Sequence, residues 1–436
     1  MTQRDALDGS EVLAVGFGTT AAMWAAGYVG RLPVVQAPNW ALGVLLPVLL
    51  VAGGWVAGRY GSSGWRGGAA AGVLASVLNL LVLGSLLAGP EVNSVRPSAI
   101  AWLLGSLACG ALLGAAGAVL GARVGGARPP VHWTGWFATE GAIATLLLLL
   151  AGGLVTSNQA GLAVVDWPNS FGYNMFLYPL SRMTGGIYYE HAHRLFGSLV
   201  GLTTVVIALH LQRVETRRWV KRFALALIPV VVTQGLLGGL RVTGRFTTST
   251  SPEDVAPNVG LAVVHGVMGQ VFFGMMVALA VVVSRRWTIH AAGPRRRSVV
   301  SDRQISTVLV CVLLVQLVLG AVQRHLDRGL LIHISLAVVV VLVALAAGVR
   351  AVHLYADTEA VGSAGRALLW LVCAQVTLGA VTLFAVTDKA PGVAPLPWQA
   401  LVATAHQGTG ALLLAVSVVL MVWLHRLAGE SENRAS

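Results

Sequence analysis

The chain has 436 residues, of which 56% are hydrophobic and only 11% charged; its mean hydropathy is +0.77 and its net charge +12. A soluble domain carries about 25% charged residues, so this composition excludes a water-soluble fold and makes the bilayer the solvent. The basic surplus does not mark a nucleic-acid partner, because Lys and Arg gather in short loops between apolar runs, as the positive-inside rule requires.

A spanning helix takes about 20 mostly apolar residues. Runs of that kind fall at 12–31, 40–58, 68–88, 99–121, 134–157, 186–211, 220–243, 259–284, 305–324, 329–350, 365–386 and 398–424. No alternating barrel pattern is present, and only helices then satisfy the backbone inside lipid. The expected fold is an all-α polytopic membrane protein of about twelve transmembrane helices. The first run follows a short segment of mixed charge (MTQRDALDGS) and reads as a spanning helix rather than a cleaved signal. Cys109, Cys311 and Cys373 each lie inside an apolar run, with no CxxC or zinc spacing and no disulfide framework.

The basic residues sit in alternate loops: Arg59 and Arg66; Arg123 and Arg128; Arg213, Arg217, Arg218, Lys221 and Arg222; Arg285, Arg286, Arg295, Arg296, Arg297 and Arg303; Arg350 and Arg366. These loops are expected on the cytoplasmic side, with both termini inside and the chain in the cell's inner (cytoplasmic) membrane. The stretch RVGGARPP within 123–131 reads as a linker. It separates a Gly- and Ala-rich four-helix extension, 1–122, from two four-helix bundles, 132–285 and 302–425. The longest outer loop, about 158–185, holds Trp167, Pro168, Phe171, Tyr173, Phe176, Tyr178 and Pro179. It is either a belt of interface anchors or a lid over a site.

The bundles repeat one another. His193, Gln234 and His265 recur as His333, Gln375 and His406 at offsets of 140, 141 and 141 residues. Each half has an even number of helices, so the repeats are parallel, with a pseudo-twofold axis along the membrane normal. A smaller motif, Q-x-x-L-G, occurs as Gln234-Gly-Leu-Leu-Gly238, Gln316-Leu-Val-Leu-Gly320 and Gln375-Val-Thr-Leu-Gly379; the fifth run has Leu150-Ala-Gly152-Gly153 with no Gln. Two compatible readings are close helix packing with a polar clasp and a flat face that admits a planar ligand.

His193, His265, His333 and His406 each fall within about the first three turns of a helix entering from outside, so all four share one depth. Intramembrane ionisable residues are functional candidates. Two pairs, one per bundle, match two bis-histidine haem sites, with small residues making room for the macrocycle. Zinc or copper fits less well, because no Cys, Asp or third His accompanies a pair. Arg194, Arg241 and Arg324 at outer helix ends either meet haem propionates or snorkel to the headgroups. Glu190 shares a helix face with His193 and is either a working acid or a charge favoured by the helix dipole. His333 has Leu330 at the equivalent place. One half is therefore read as doing chemistry and the other as carrying a resident cofactor. His191 is expected to point elsewhere on its helix. His132, His290, His353 and His425 are expected in solvated ends or loops, His210 ends the sixth run, and His325 has no assigned role.

The segment Gly161-Leu-Ala-Val-Val-Asp-Trp-Pro-Asn-Ser-Phe-Gly172, followed by Glu190-x-x-His193-Arg194 and by Gln234-Gly-Leu-Leu-Gly-Gly-Leu-Arg241, resembles the haem A synthase family over about 132–425. The resemblance implies eight helices in two similar halves and oxidation of the haem O C8 methyl group to formyl, giving haem A for cytochrome oxidase. It implies a resident haem b on His333 and His406, with Arg324, Gln316 and Gln375 beside it. The substrate haem O is then faced by His193 and His265, with Arg194, Arg241 and Gln234. Glu190 becomes the catalytic acid, stabilising positive charge at the oxidised carbon. The implied partners are haem O and the haem O synthase that makes it, an unidentified electron donor and membrane lipid; a homo-oligomer stays open. Two departures stand out. Where many bacterial members carry a cysteine pair, this chain has Val164 and Ser170. The extension 1–122 has no intramembrane His and almost no expected buried charge, and reads as a scaffold or docking module. A competing reading is a di-haem b electron carrier linked to quinone, without haem modification. A transporter with structural histidines is a third, which four histidines at one depth fit poorly.

Overall fold

The computed structural model describes residues 7–126, 130–243, 259–290, 299–387 and 394–433. Arg128 and Arg295 to Arg297 lie outside the described residues. Among the described residues thirteen α-helices follow in order: α1 (Gly9–Arg31), α2 (Asn39–Tyr60), α3 (Gly64–Leu87), α4 (Ala99–Arg123), α5 (Trp133–Ser157), α6 (Gly185–Val214), α7 (Arg218–Thr243), α8 (Val259–Val282), α9 (Arg285–Thr288), α10 (Val299–Leu326), α11 (Leu330–Leu354), α12 (Glu359–Thr387) and α13 (Pro397–Asn433). A two-residue hairpin, β1 (Asn169–Ser170) with β2 (Tyr173–Asn174), lies between α5 and α6. All helices but α9 are long and apolar enough to cross a membrane, so the chain is an all-α multi-pass membrane protein.

The helices outrun the apolar runs that announce them. α1 starts at Gly9, not 12, because the Asp8 carboxylate accepts the amides of Ser10 and Glu11 (2.9 and 3.4 Å) and so satisfies donors the helix leaves open. The short α9 was not expected from the sequence; Ser284 caps it by accepting the Trp287 amide at 3.2 Å. Polar capping turns carry no hydropathy signal.

The fold divides into two compact units, residues up to 155 with 160–229, and 156–159 with 230 onward. The packing of the first unit is built on small and aromatic residues. α2, α3 and α4 approach through glycines: a Cβ at Gly58 would collide with the Ala118 main chain, and one at Gly72 with the Gly110 carbonyl. Small residues permit such backbone approach in lipid. α1 then packs on α5 and α6 through aromatic rings. Phe17 meets Phe137 at 5.1 Å, Trp24 meets Phe196 at 5.6 Å, and Tyr28 stacks on Tyr188 at 5.5 Å. The Tyr188 hydroxyl also donates to the Tyr28 carbonyl at 2.6 Å. The extension therefore shares a core with α5 and α6. It also buries a charge, contrary to expectation: Glu11 is fully enclosed and accepts from the Ser62 amide (2.9 Å) and the Ser63 amide and hydroxyl (3.3 and 3.2 Å).

In the second unit, Leu309, Ala344, Leu368, Leu413, Leu420 and Trp423 form a core shared by α10 to α13, against which α8 packs. Asp302 is buried there, held by Arg350 at 2.5 Å and by the Tyr355 hydroxyl at 2.8 Å.

Candidate functional site

Each of the four repeat histidines rests against a glycine of another helix. A Cβ at Gly152 of α5 would stand 2.9 Å from Cε1 of His193 on α6. One at Gly238 of α7 would stand 3.3 Å from Cε1 of His265 on α8. The same distance is 3.1 Å both for Gly320 of α10 with His333 on α11 and for Gly379 of α12 with His406 on α13. The last three glycines close the Q-x-x-L-G motifs, and Gly152 is the counterpart in the helix that lacks the Gln. A methyl group at any of them would press on the imidazole, so the motif's glycine is a seat for the ring. All four histidines are half-buried.

The glutamines act on the same rings. Gln316 Nε2 donates to the His333 carbonyl at 2.9 Å and lies 3.1 Å from its Nδ1. The main chains of Gln234, Gln316 and Gln375 are polar neighbours of His265, His333 and His406 respectively. Nδ1 of His406 nevertheless makes no hydrogen bond of good geometry. A metal-bound imidazole commonly orients its second nitrogen on such a carbonyl. His265, His333 and His406 belong to the second unit, where His333 and His406 are close enough to interact electrostatically; His193 belongs to the first. Arg241 and His325 neighbour His265, and Arg324, which is exposed, neighbours His325. Among the described residues, no three His, Cys, Asp or Glu side chains gather as metal ligands.

Around Glu190 the structure adds partners that the sequence did not reveal. Glu190 is buried, and Arg194 pairs with it at 3.2 Å. The guanidinium also donates to the carbonyls of Val164 and Asp166 (2.6 Å each) and of Asn169 (3.0 Å). Arg194 thus holds the α5–α6 loop, a set of contacts in addition to the two readings drawn from sequence. The Asp166 carboxylate accepts the amides of Phe171 (2.7 Å) and Gly172 (2.8 Å). Those two residues have φ of 52° and 78°, the left-handed pair that a tight hairpin turn requires. His191 does not point away from the site region: it is 1% exposed, its Nδ1 lies 3.0 Å from Ser170 Oγ, and its ring packs on Tyr178 at 5.0 Å. Val164 and Ser170 are both fully buried. Of the loop aromatics, Tyr173 and Tyr178 turn inward while Phe171 and Trp167 stay exposed.

Of the four histidines expected in solvent, His353 and His425 are exposed, while His132 and His290 are half-buried. His132 Nδ1 accepts the Gly135 amide at 3.1 Å, His425 lies 2.9 Å from Thr307 Oγ1, and His290 packs edge-on against Trp423 at 5.2 Å. His210 lies 3.4 Å from Thr134 Oγ1.

Twelve candidate spans, with intramembrane histidines seated on the glycines of other helices, define a multi-pass membrane protein built around imidazoles. Residues 135–332 match the COX15-CtaA family, cytochrome oxidase assembly protein. No curated protein matches the chain. The matched stretch includes Glu190, His193, Arg194, Gln234, Arg241, His265, Gln316 and Arg324. It stops one residue before His333, so His333, Gln375 and His406 lie outside the match.

Proposed function

We propose that the protein is a haem A synthase-type oxidoreductase, which oxidises the C8 methyl group of haem O to formyl for cytochrome oxidase assembly. The observation that carries this reading is the fourfold seating of His193, His265, His333 and His406 on glycines, in a chain whose residues 135–332 match the cytochrome oxidase assembly family. A planar macrocycle needs small residues beside its axial ligands, and each imidazole here has a flat glycine surface next to it.

His333 and His406 fit a resident haem b. A Gln main chain lies beside each ring, and the Gln316 side-chain amide lies 3.1 and 3.4 Å from the two ring nitrogens of His333, so it would turn aside as iron takes one of them; Gln316, Gln375 and Arg324 complete the surroundings. Bound haem b would supply one-electron transfer. His193 and His265 serve the substrate haem O, with Arg241 and Gln234 on its side, and Arg194 acts through the α5–α6 loop and Glu190. The Glu190 carboxylate, compensated by Arg194, provides fixed negative charge where positive charge develops on the reacting carbon. Haem O comes from the synthase that makes it and electrons from a separate donor. The positive-inside rule supports both termini on the cytoplasmic side of the inner membrane.

The test is to express the protein with haem O supplied, extract the bound haem and identify it by chromatography. Haem A or its hydroxylated precursor is expected. Haem B alone would establish the di-haem electron carrier instead, and a colourless protein would reject both.

A further inference from the structure

We propose that the loop between α3 and α4 is a latch for the α5–α6 loop, with Asn93 as its positioning residue. The four-helix extension then has a role, which is to hold in place the segment that Arg194 and His191 grip from α6. The proposal does not depend on what the protein converts.

Asn93 sits at φ 62°, a backbone region that Asn tolerates better than most residues. From there its side chain meets the turn and the β2 strand that follows it. Its Oδ1 accepts the Asn174 amide at 2.6 Å, and its Nδ2 donates to the Gly172 carbonyl at 3.2 Å. The latch is itself braced. Ala88 bridges Val95, the Gly89 amide donates to the Ser94 carbonyl at 2.8 Å, and Arg96 Nε donates to the Ala88 carbonyl at 2.7 Å. A second contact supports it independently: a Cβ at Gly84 of α3 would stand 2.7 Å from the Phe176 carbonyl oxygen. On the far side, Asp166 caps the turn, while His191 holds Ser170 and Arg194 holds Asn169. The hairpin is therefore clasped between the extension and α6. Two hydrogen bonds from one side chain with a preset backbone order a loop more effectively than two separate surface contacts, because fewer groups lose freedom.

The experiment is amide hydrogen exchange on the full chain in lipid nanodiscs. Asn93→Gly keeps the positive φ and removes both side-chain bonds, so backbone strain does not confuse the result. Exchange at Phe171 to Leu177 should rise about tenfold, with α3 and α4 unchanged. Asn93→Asp keeps the acceptor and should restore protection at Asn174. Gly84→Ala should loosen 175–177 from the other contact. Wild-type exchange in Asn93→Gly overturns the proposal; so does an increase spread evenly over α3, α4 and α6, or an Asn93→Asp variant no better protected at Asn174 than Asn93→Gly. Haem conversion, measured separately, bears on the enzymatic reading and not on the latch.

Discussion

The Arg194 guanidinium lies 3.2 Å from the Glu190 carboxylate one turn away on α6, and it also takes three carbonyls of the α5–α6 loop. Only a planar, multiply donating group serves that many acceptors at once; a lysine is a compact charge with fewer directions. Arg194→Lys should keep a positive neighbour for Glu190 but release Val164, Asp166 and Asn169. Haem O conversion is expected to fall roughly tenfold while bound haem b stays constant. Conversion at the wild-type rate would show that the loop contacts are dispensable.

Glu190→Gln removes the charge but keeps an acceptor for Arg194. Loss of preorganised charge at a reacting centre costs about a hundredfold or more in rate. The variant should therefore bind haem and retain its helices, yet accumulate unconverted haem O in the extract. Full conversion would reject the role given to this residue.

Gly320→Ala and Gly379→Ala each place a methyl group 3.1 Å from a histidine ring carbon. Either the ring or the helix must shift, so haem per protein should drop and the low-spin bis-histidine spectrum should weaken. Gly266→Ala is the control, because nothing lies within 4 Å of its Cβ position. If all three variants load haem alike, the glycine seats have no bearing on ligation.

His191 and Ser170 form a buried pair across a separation of 21 residues. His191→Phe keeps a ring but strands the hydroxyl, at a cost of about 1–2 kcal/mol. Ser170→Ala should cost a similar amount, and the double variant less than the sum of the two. Thermal unfolding in detergent reads all three; additive losses would mean that the pair does not interact.

Between α6 and α7, the Arg217 guanidinium beside Glu215 holds that carboxyl at about 2, down from an ordinary 4.5. The folded value lies below the unfolded one, so this stabilisation is present above about pH 4.5 and is lost as pH falls through about 2. Glu215 also accepts the Thr216 and Arg217 amides at 2.8 and 2.9 Å. Their exchange should show an extra acceleration across that window, absent in Glu215→Gln. Identical pH profiles in the two proteins would contradict the assignment.

The spanning helices were legible in the chain because transfer into lipid depends on a window of about 20 residues, whatever the rest does. The repeat of His193, Gln234 and His265 in His333, Gln375 and His406 was legible for a related reason: it is a spacing, and spacings survive without coordinates. Glu190 could be placed beside His193 because a helix of 3.6 residues per turn brings positions three apart onto one face. Asn93 could not be linked to Asn174, nor Ser170 to His191, because those contacts join loops and helices at separations with no period.

The sequence by itself determined that this protein is built for a membrane and how many times it can cross; each is a local matter of hydropathy and helical phase. Only the tertiary structure decided that Q-x-x-L-G glycines seat histidines, that Arg194 binds a loop as well as Glu190, and that the extension shares a core with α5 and α6. Those outcomes turn on which surfaces meet at contact distance, where one methyl group determines whether a ring fits.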